Sequence, residues 1–333
     1  MSLDLVIPDL LLPEGAPARL REVRLPNAEK WLARAHMADD PAAGTLEWVA
    51  REHGLVDPIP YAAIALAGED AAAEGEWLRA DPVHLRIDRD ALVLHDAASL
   101  SLEEGEARAL AAAVAAHLER DAIALQVAAP ERWYARVPPG ERPVTVPLER
   151  ARGRNIYGLL PRGSGSVAWP SLLTETQMLL GSVAANVARE DRGSPTANSV
   201  WFWGEGAIPE SIPARYSLVM GSDPFVRGLA KLSGARWAET PAALEDVPDV
   251  ERAASALVIV ESLMPAFARG DENAWLERAA DLDRRWLDLG SALARFGAVR
   301  LVLPAMGRTR VARLSPRARW SWWRPRHPIA RHG

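Results

Sequence analysis

Asn198-Ser-Val-Trp-Phe-Trp-Gly-Glu-Gly206 is the most distinctive stretch of the chain. Its β-branched and aromatic side chains end on a glycine, which predicts a strand over 198–204 running into a turn. Trp201 and Trp203 share one face, because side chains alternate along a strand. They either pack in a core, the weightier reading, or stack on a ligand. Gly204 and Gly206 flank Glu205, and two glycines let backbone approach a ligand closely. A loop at a strand's C-terminal end is also where open α/β sheets bind ligands, which makes Glu205 the better functional candidate. Upstream, Asn186 and Arg189 lie within one helical turn of each other. That spacing suits anion binding and suits a structural salt bridge equally.

Downstream, residues 216–220 read as a strand, Asp223-Pro224 opens a helix over 225–234, and 256–261 is an apolar buried strand. Trp275, Ala279, Leu282, Trp286, Leu289, Leu293 and Phe296 alternate spacings of four and three, which predicts one long amphipathic helix. A further strand follows at 299–304. Strand and helix alternating from Asn198 to Pro304 imply parallel β-α-β units covered on both faces. Toward the N-terminus, 3–8 predicts a buried strand and Asn27 caps a helix. The Ala-, Gly-, Pro- and Asp-rich stretch 38–76 supports no assignment.

A second module starts at Asp81. Segments 82–88 and 91–95 alternate as a hairpin, Ser101 and Glu104 form a capping box for a helix over 106–120, and strands follow at 122–128 and 132–138. His84, Arg86 and Asp88 share one strand face, turned toward an inter-domain cleft or toward solvent. A helix is expected over 170–190. The expected organisation is a discontinuous α/β core (1–76 and 151–307) with a mostly parallel sheet, an inserted α+β module (77–150) and a basic, irregular tail (308–333).

Composition narrows the chemistry. The 333 residues are 49% hydrophobic and 25% charged, the mix of a globular protein with a core. Cysteine is absent, which excludes disulfides, thiolate metal sites and thiol nucleophiles. No apolar run approaches the roughly 20 residues of a membrane span, and the first residues carry Asp4 and Asp9 rather than a basic leader. A cytoplasmic protein is expected, with no membrane partner. Within a net charge of −5, the segment from Arg308 onward holds eight arginines and no acid, interleaved with Trp320, Trp322 and Trp323. Such a segment can bind nucleic acid, but the absence of any other nucleic-acid motif favours a basic end folded on an acidic body.

The Asn186-x-x-Arg189 and 198–206 stretches resemble the Asn-x-x-Arg and Asn-Ser-Ile-Trp-Leu-Trp-Gly-Gln-Gly pattern of archaeal-type cofactor-independent phosphoglycerate mutases, in the alkaline-phosphatase superfamily. Residues 80–110, 216–235 and the Ile7-Pro8-Asp9 turn resemble other segments of that family in the same order. Residues 80–90, 172–180 and 198–206 together are also similar to bacterial RpfE-type regulatory proteins. The resemblance implies an alkaline-phosphatase-like core and a phosphoryl transfer that uses two divalent metals, Mn or Mg, and a Ser or Thr nucleophile.

This chain departs from that pattern where the chemistry lies. Asp9 matches the first metal ligand, but Leu10 replaces the following glycine, and Thr45 is the only hydroxyl near the nucleophile's place. Glu261 stands where the family has Asp-x-x-x-His, and no histidine occurs between His117 and His327. Asp9 and Glu261 are thus weak remnants of a metal site, with an ordinary cap or turn residue the weightier reading of Asp9. The expectation is a catalytically degenerate protein needing no cofactor, which binds a small phosphorylated or anionic ligand, or a protein partner, in regulation. Asn186, Arg189, Asn198, Trp201, Trp203, Gly204, Glu205, Gly206, His84 and Arg86 are the candidate ligand-binding residues. A mutase or phosphohydrolase keeping a reduced metal site is the alternative.

Overall fold

The computed structural model describes residues 2–13, 15–88, 91–249, 254–305, 307–314 and 325–332, without the side chains at 97 and 142. In chain order the elements begin β1 (Ser2–Val6), α1 (Ala18–Arg21), α2 (Pro26–Arg34), β2 (His36–Asp40) and α3 (Thr45–Glu52). Next come α4 (Tyr61–Gly68), β3 (Trp77–Asp88), β4 (Ala91–His95), α5 (Ala97–Leu100), α6 (Glu104–Leu118), β5 (Ala124–Ala129) and β6 (Arg132–Arg136). The middle continues with β7 (Arg142–Val144), α7 (Leu148–Ala151), β8 (Arg162–Ser164), α8 (Trp169–Ser182), α9 (Ala184–Asp191) and β9 (Ser199–Gly206). The remainder is β10 (Leu218–Met220), α10 (Pro224–Ser233), β11 (Arg236–Ala238), β12 (Ser255–Ile259), α11 (Met264–Ala268), α12 (Glu272–Trp286), α13 (Leu289–Phe296), β13 (Ala298–Ala305) and β14 (Arg308–Leu314).

The chain forms two compact units, one of residues 1–55 and 211–333, the other of 56–210. These divisions fall at 55/56 and 210/211, where the sequence suggested 76/77 and 150/151.

The first unit is built on a seven-stranded sheet ordered β11-β10-β12-β1-β13-β14-β2. Its strands β11 to β13 run parallel, and β14 and β2 add antiparallel pairs. This is the mixed α/β class with a mostly parallel sheet that the strand–helix alternation predicts. Leu3, Leu5, Val258, Leu301 and Leu303 pack with Trp31 of α2, Trp275 and Trp286 of α12 and Phe296 of α13 in one core cluster. Full burial of each large apolar side chain contributes about 1.5–3 kcal/mol. The alternate positions Asp4 and Arg300 are register partners on β1 and β13. Arg300 donates Nε to Asp4 Oδ1 (2.6 Å) and NH1 and NH2 to Glu52 of α3 (3.0 and 2.7 Å), and Tyr216 donates its hydroxyl to Asp4 (2.7 Å).

The second unit carries a five-stranded antiparallel sheet, β4-β3-β6-β5 with β9 against β3. One face packs Leu78, Ala80, Trp133, Val200 and Phe202 against α6 and α8. β9 therefore belongs here, where the sequence assigned it to the parallel units. The reason is its pairing from Val83–Ser199 to Trp77–Gly206 along β3, a partner more than 100 residues earlier that no local pattern names.

Several boundaries also differ from expectation. Leu25, not Asn27, is the cap position of α2. The first-turn main-chain donors Asn27 N and Ala28 N go to the carboxylate of Asp283 on α12 (3.1 and 2.7 Å). The capping box of α6 is Glu103 with Glu106 rather than Ser101 with Glu104. The long C-terminal helix breaks after Trp286, because Asp288 restarts it by accepting from Ser291 N (2.9 Å). The 170–190 helix breaks at Val183, and Asn186 takes up the Leu180 carbonyl there (2.8 Å). The unassigned stretch 38–76 holds α3 and α4. Arg308–Leu314, expected in an irregular tail, pairs with β13 and β2. Of the remaining tail, Arg317, Arg319, Arg324, Trp320, Trp322 and Trp323 lie outside the described residues.

Candidate functional site

β9 brings most of the candidate residues into the second unit. Trp203 donates its indole N–H to Asp81 Oδ2 (2.8 Å), and Arg79 donates NH2 to Asp81 Oδ1 (2.8 Å). The Arg79 guanidinium lies 5.2 Å from the ring centres of both Trp203 and Tyr134. Trp203, Arg79 and Asp81 are all buried. Burial raises the Asp81 pKa, while the charge of Arg79 and the donors from Trp203, Arg79 and Trp133 oppose it. Trp201, also buried, donates its indole N–H to the Val146 carbonyl (2.9 Å). Both indoles thus lie in the interior with their polar edge satisfied.

The glycines beside Glu205 have a packing cause. Gly204 has φ +71°, and a Cβ there would stand 2.7 Å from Tyr61 Cβ; one on Gly206 would stand 2.8 Å from Pro60 Cβ. The start of α4 therefore occupies the space that the glycines leave. Thr145 donates its main-chain N–H to Glu205 Oε1 (3.2 Å) and its hydroxyl to Oε2, and it accepts from Gly204 N (3.1 Å). Beside them opens a cavity of about 550 Å³, lined by Ile59, Tyr61, Thr145, Arg150 and Glu205 among others. Its charged lining is acidic, with Asp57, Glu76, Glu141 and Glu205 against Arg150.

Asn186, Arg189 and Asn198 are held by main-chain groups. Asn186 donates to the Leu180 and Ala197 carbonyls (2.8 and 2.9 Å) and accepts from Ala197 N (3.1 Å). Arg189 donates Nε to the Pro195 carbonyl (2.7 Å), NH1 to Glu106 (2.6 Å) and NH2 to the Leu100 carbonyl. Asn198 accepts from Leu85 N (2.7 Å) and donates to the Leu85 carbonyl (2.9 Å), so its amide extends the β3–β9 pairing by one step. On β3, Arg86 and Asp88 are exposed, while half-buried His84 points Nδ1 at the Thr196 carbonyl (2.8 Å) and pairs in register with His95 of β4.

Asp9 and Glu261 lie in the first unit, just beyond β1 and β12. Asp9 is buried in a left-handed conformation (φ 58°), its main chain held by the Pro304 carbonyl (3.0 Å) and by the Trp275 indole (3.1 Å). Glu261 accepts the N–H (3.2 Å) and hydroxyl of Ser222. Burial raises the Glu261 pKa; Ser222 opposes and the charge of Asp223 adds to it. A cavity of about 510 Å³ beside Glu261 is lined by Thr240, Ser262, Arg278 and Trp286 as well. Thr45 is buried at the first position of α3. Paired divalent metals require several converging carboxylates and imidazoles. Among the described residues no three His, Asp or Glu side chains come together in that way, so the donors present do not fit such a pair.

Sequence reasoning missed Tyr61, Arg79, Asp81, Thr145 and Ser222. The signal available was Arg79-x-Asp81, a charged pair alternating inside an apolar strand; for Thr145 the sequence carries none.

Fold and site together define a two-unit α/β protein with a mostly parallel sheet in one unit and an antiparallel sheet in the other. No family model matches the chain. It is 26% identical over 181 residues to a probable 2,3-bisphosphoglycerate-independent phosphoglycerate mutase of Geobacter sulfurreducens, covering 53% of this chain and 45% of that protein. It is 27% identical over 166 residues to a 2,3-bisphosphoglycerate-independent phosphoglycerate mutase of Methanosarcina barkeri, covering 48% and 41%. The matches thus span less than half of either relative's length. Among solved structures, a cofactor-independent phosphoglycerate mutase from Thermoplasma acidophilum covers 94% of this chain and 89% of its own at 14% identity, with a TM-score of 0.48. No helix among the described residues is long and apolar enough to cross a membrane.

Proposed function

We propose that this chain is a phosphoglycerate-mutase-like protein that acts in regulation by binding, not by two-metal phosphoryl transfer. The observation that carries the reading is the donor set beyond β1 and β12: Asp9 and Glu261 are carboxylates without an imidazole, and Glu261 is engaged by Ser222. The similarity of 80–90, 172–180 and 198–206 to RpfE-type regulatory proteins supports the regulatory half of the proposal, and a cytoplasmic location belongs to it. Both cavities are lined by more acid than base, which disfavours a phosphate ester and favours a neutral or cationic ligand or a protein partner.

The test is a mutase and phosphatase assay of the full chain with added Mn or Mg. The reading expects turnover at background. Turnover that Asp9→Asn abolishes would overturn it and favour the second reading, a reduced enzyme site. One observation speaks for that alternative: Asp9, a non-glycine residue, is held buried with φ 58° at a strand end, and such strain clusters at active sites.

A further inference from the structure

The second unit also sets two imidazoles against each other. His84 and His95 are register partners on β3 and β4, and their ring centres lie 6.2 Å apart with the planes at 53°. Zn–N(imidazole) distances of about 2.0–2.1 Å put a ring centre about 3.2 Å from the ion, so two rings sharing one ion lie at most about 6.4 Å apart. The observed separation falls inside that limit. A tetrahedral angle at the ion would bring the centres to about 5.2 Å, about 1 Å closer than they stand.

The hydrogen bonding prepares both rings. The partner of His84 Nδ1 is the Thr196 carbonyl, which only accepts, so Nδ1 carries the proton and Nε2 keeps its lone pair. A ligating histidine fixed through its other nitrogen to a carbonyl is the usual outer-shell arrangement of metal sites. His95 Nε2 is buried and makes no hydrogen bond. Arg86 repels a cation from β3; Asp96, just past β4, attracts one and is itself paired with Arg152 (3.2 Å).

We propose that His84 and His95 form a two-imidazole site for one transition-metal ion of the zinc and copper class, with water or an incoming ligand completing the coordination. The site uses neither Asp9 nor Glu261, so it stands or falls apart from the reading of the first unit.

Tag-free full-length protein titrated with Cu(II) and followed by electron paramagnetic resonance tests it. The expected spectrum shows coupling to two imidazole nitrogens at one equivalent, and to one in His84→Gln or His95→Gln. Zn(II) affinity measured by calorimetry falls at least about tenfold in each variant, the loss that even an outer-shell change brings. His117→Gln, remote in sequence, leaves both readouts unchanged. If His84→Gln fails to fold, His95→Gln decides alone, since His95 Nε2 holds no bond to lose. A wild-type chain with no two-nitrogen signal, or a His95→Gln chain that binds as wild type does, overturns the proposal.

Discussion

Trp203 and Arg79 close on the same buried carboxylate, Asp81, each at 2.8 Å, one from across the β3–β9 pair and one from two residues away on β3. The charge of Arg79 is tolerable in the interior because Asp81 accompanies it. Asp81→Ala breaks that buried pair, at an expected loss of about 3–5 kcal/mol. Trp203→Phe removes one donor and keeps the pair, at about 1–3 kcal/mol. Urea unfolding followed by circular dichroism orders the two variants, and an equal loss would contradict the ion-pair account.

Asp283 on α12 provides the cap that α2 lacks within its own sequence, by accepting from Asn27 N and Ala28 N. Asp283→Ala leaves two main-chain donors without their acceptor, and a lost cap costs about 0.5–2 kcal/mol. The same substitution at exposed Asp281, whose partners are Arg284 and Arg285, changes stability by less than about 1 kcal/mol. Thermal melts of the two variants make the comparison.

Gly204 and Gly193 share φ +71°, but only Gly204 has a neighbour, Tyr61, that an added Cβ would strike; nothing lies within 4 Å at Gly193. Gly193→Ala therefore shows backbone strain alone, about 1 kcal/mol. Gly204→Ala adds the displacement of α4 and loses at least about 1–3 kcal/mol more, as overpacking does. Denaturant midpoints that coincide for the two variants would remove the packing explanation.

His53, fully buried at the end of α3, gives Nδ1–H to the Val49 carbonyl (2.9 Å), and its Nε2 has no partner. Its ring lies 5.4 Å from that of Tyr216, with Glu52 and Arg215 the charged groups beside it. Burial lowers its pKa below the ordinary 6.5, and Val49 and Glu52 only partly offset this. The unfolded chain then binds a proton at higher pH than the folded one. Stability from the neutral ring is complete above about pH 6.5 and is lost as pH falls below it, by up to about 1.4 kcal/mol per pH unit. His53→Phe should flatten the denaturation midpoint between pH 7 and 5.5 relative to wild type. An unchanged slope would show that the ring takes up its proton without opening the fold.

Local pattern was enough to find β1, β12 and β13 and the β3–β4 hairpin, because apolar runs and period-two alternation report burial of the residues that carry them. Much of the candidate site was legible as residue identity but not as role. The sequence singled out Asn186, Arg189 and Asn198, yet their partners Leu180, Pro195, Glu106 and Leu85 depend on chain crossings. It likewise marked Glu205 between two glycines, but Tyr61 and Pro60, which need those glycines, lie in a stretch where small residues and prolines mask periodicity.

By itself, then, the sequence determined the α/β class and the absence of thiol chemistry, since composition and alternation survive without any knowledge of contacts. Only the tertiary structure decided that β9 pairs with β3, that Asp283 caps α2, and that Trp203 and Arg79 meet on Asp81. Each of these joins residues far apart in the chain or sets the side chain's direction through sheet register. The long-range pairings are fixed by the closing of a whole core, and no window of local sequence contains them.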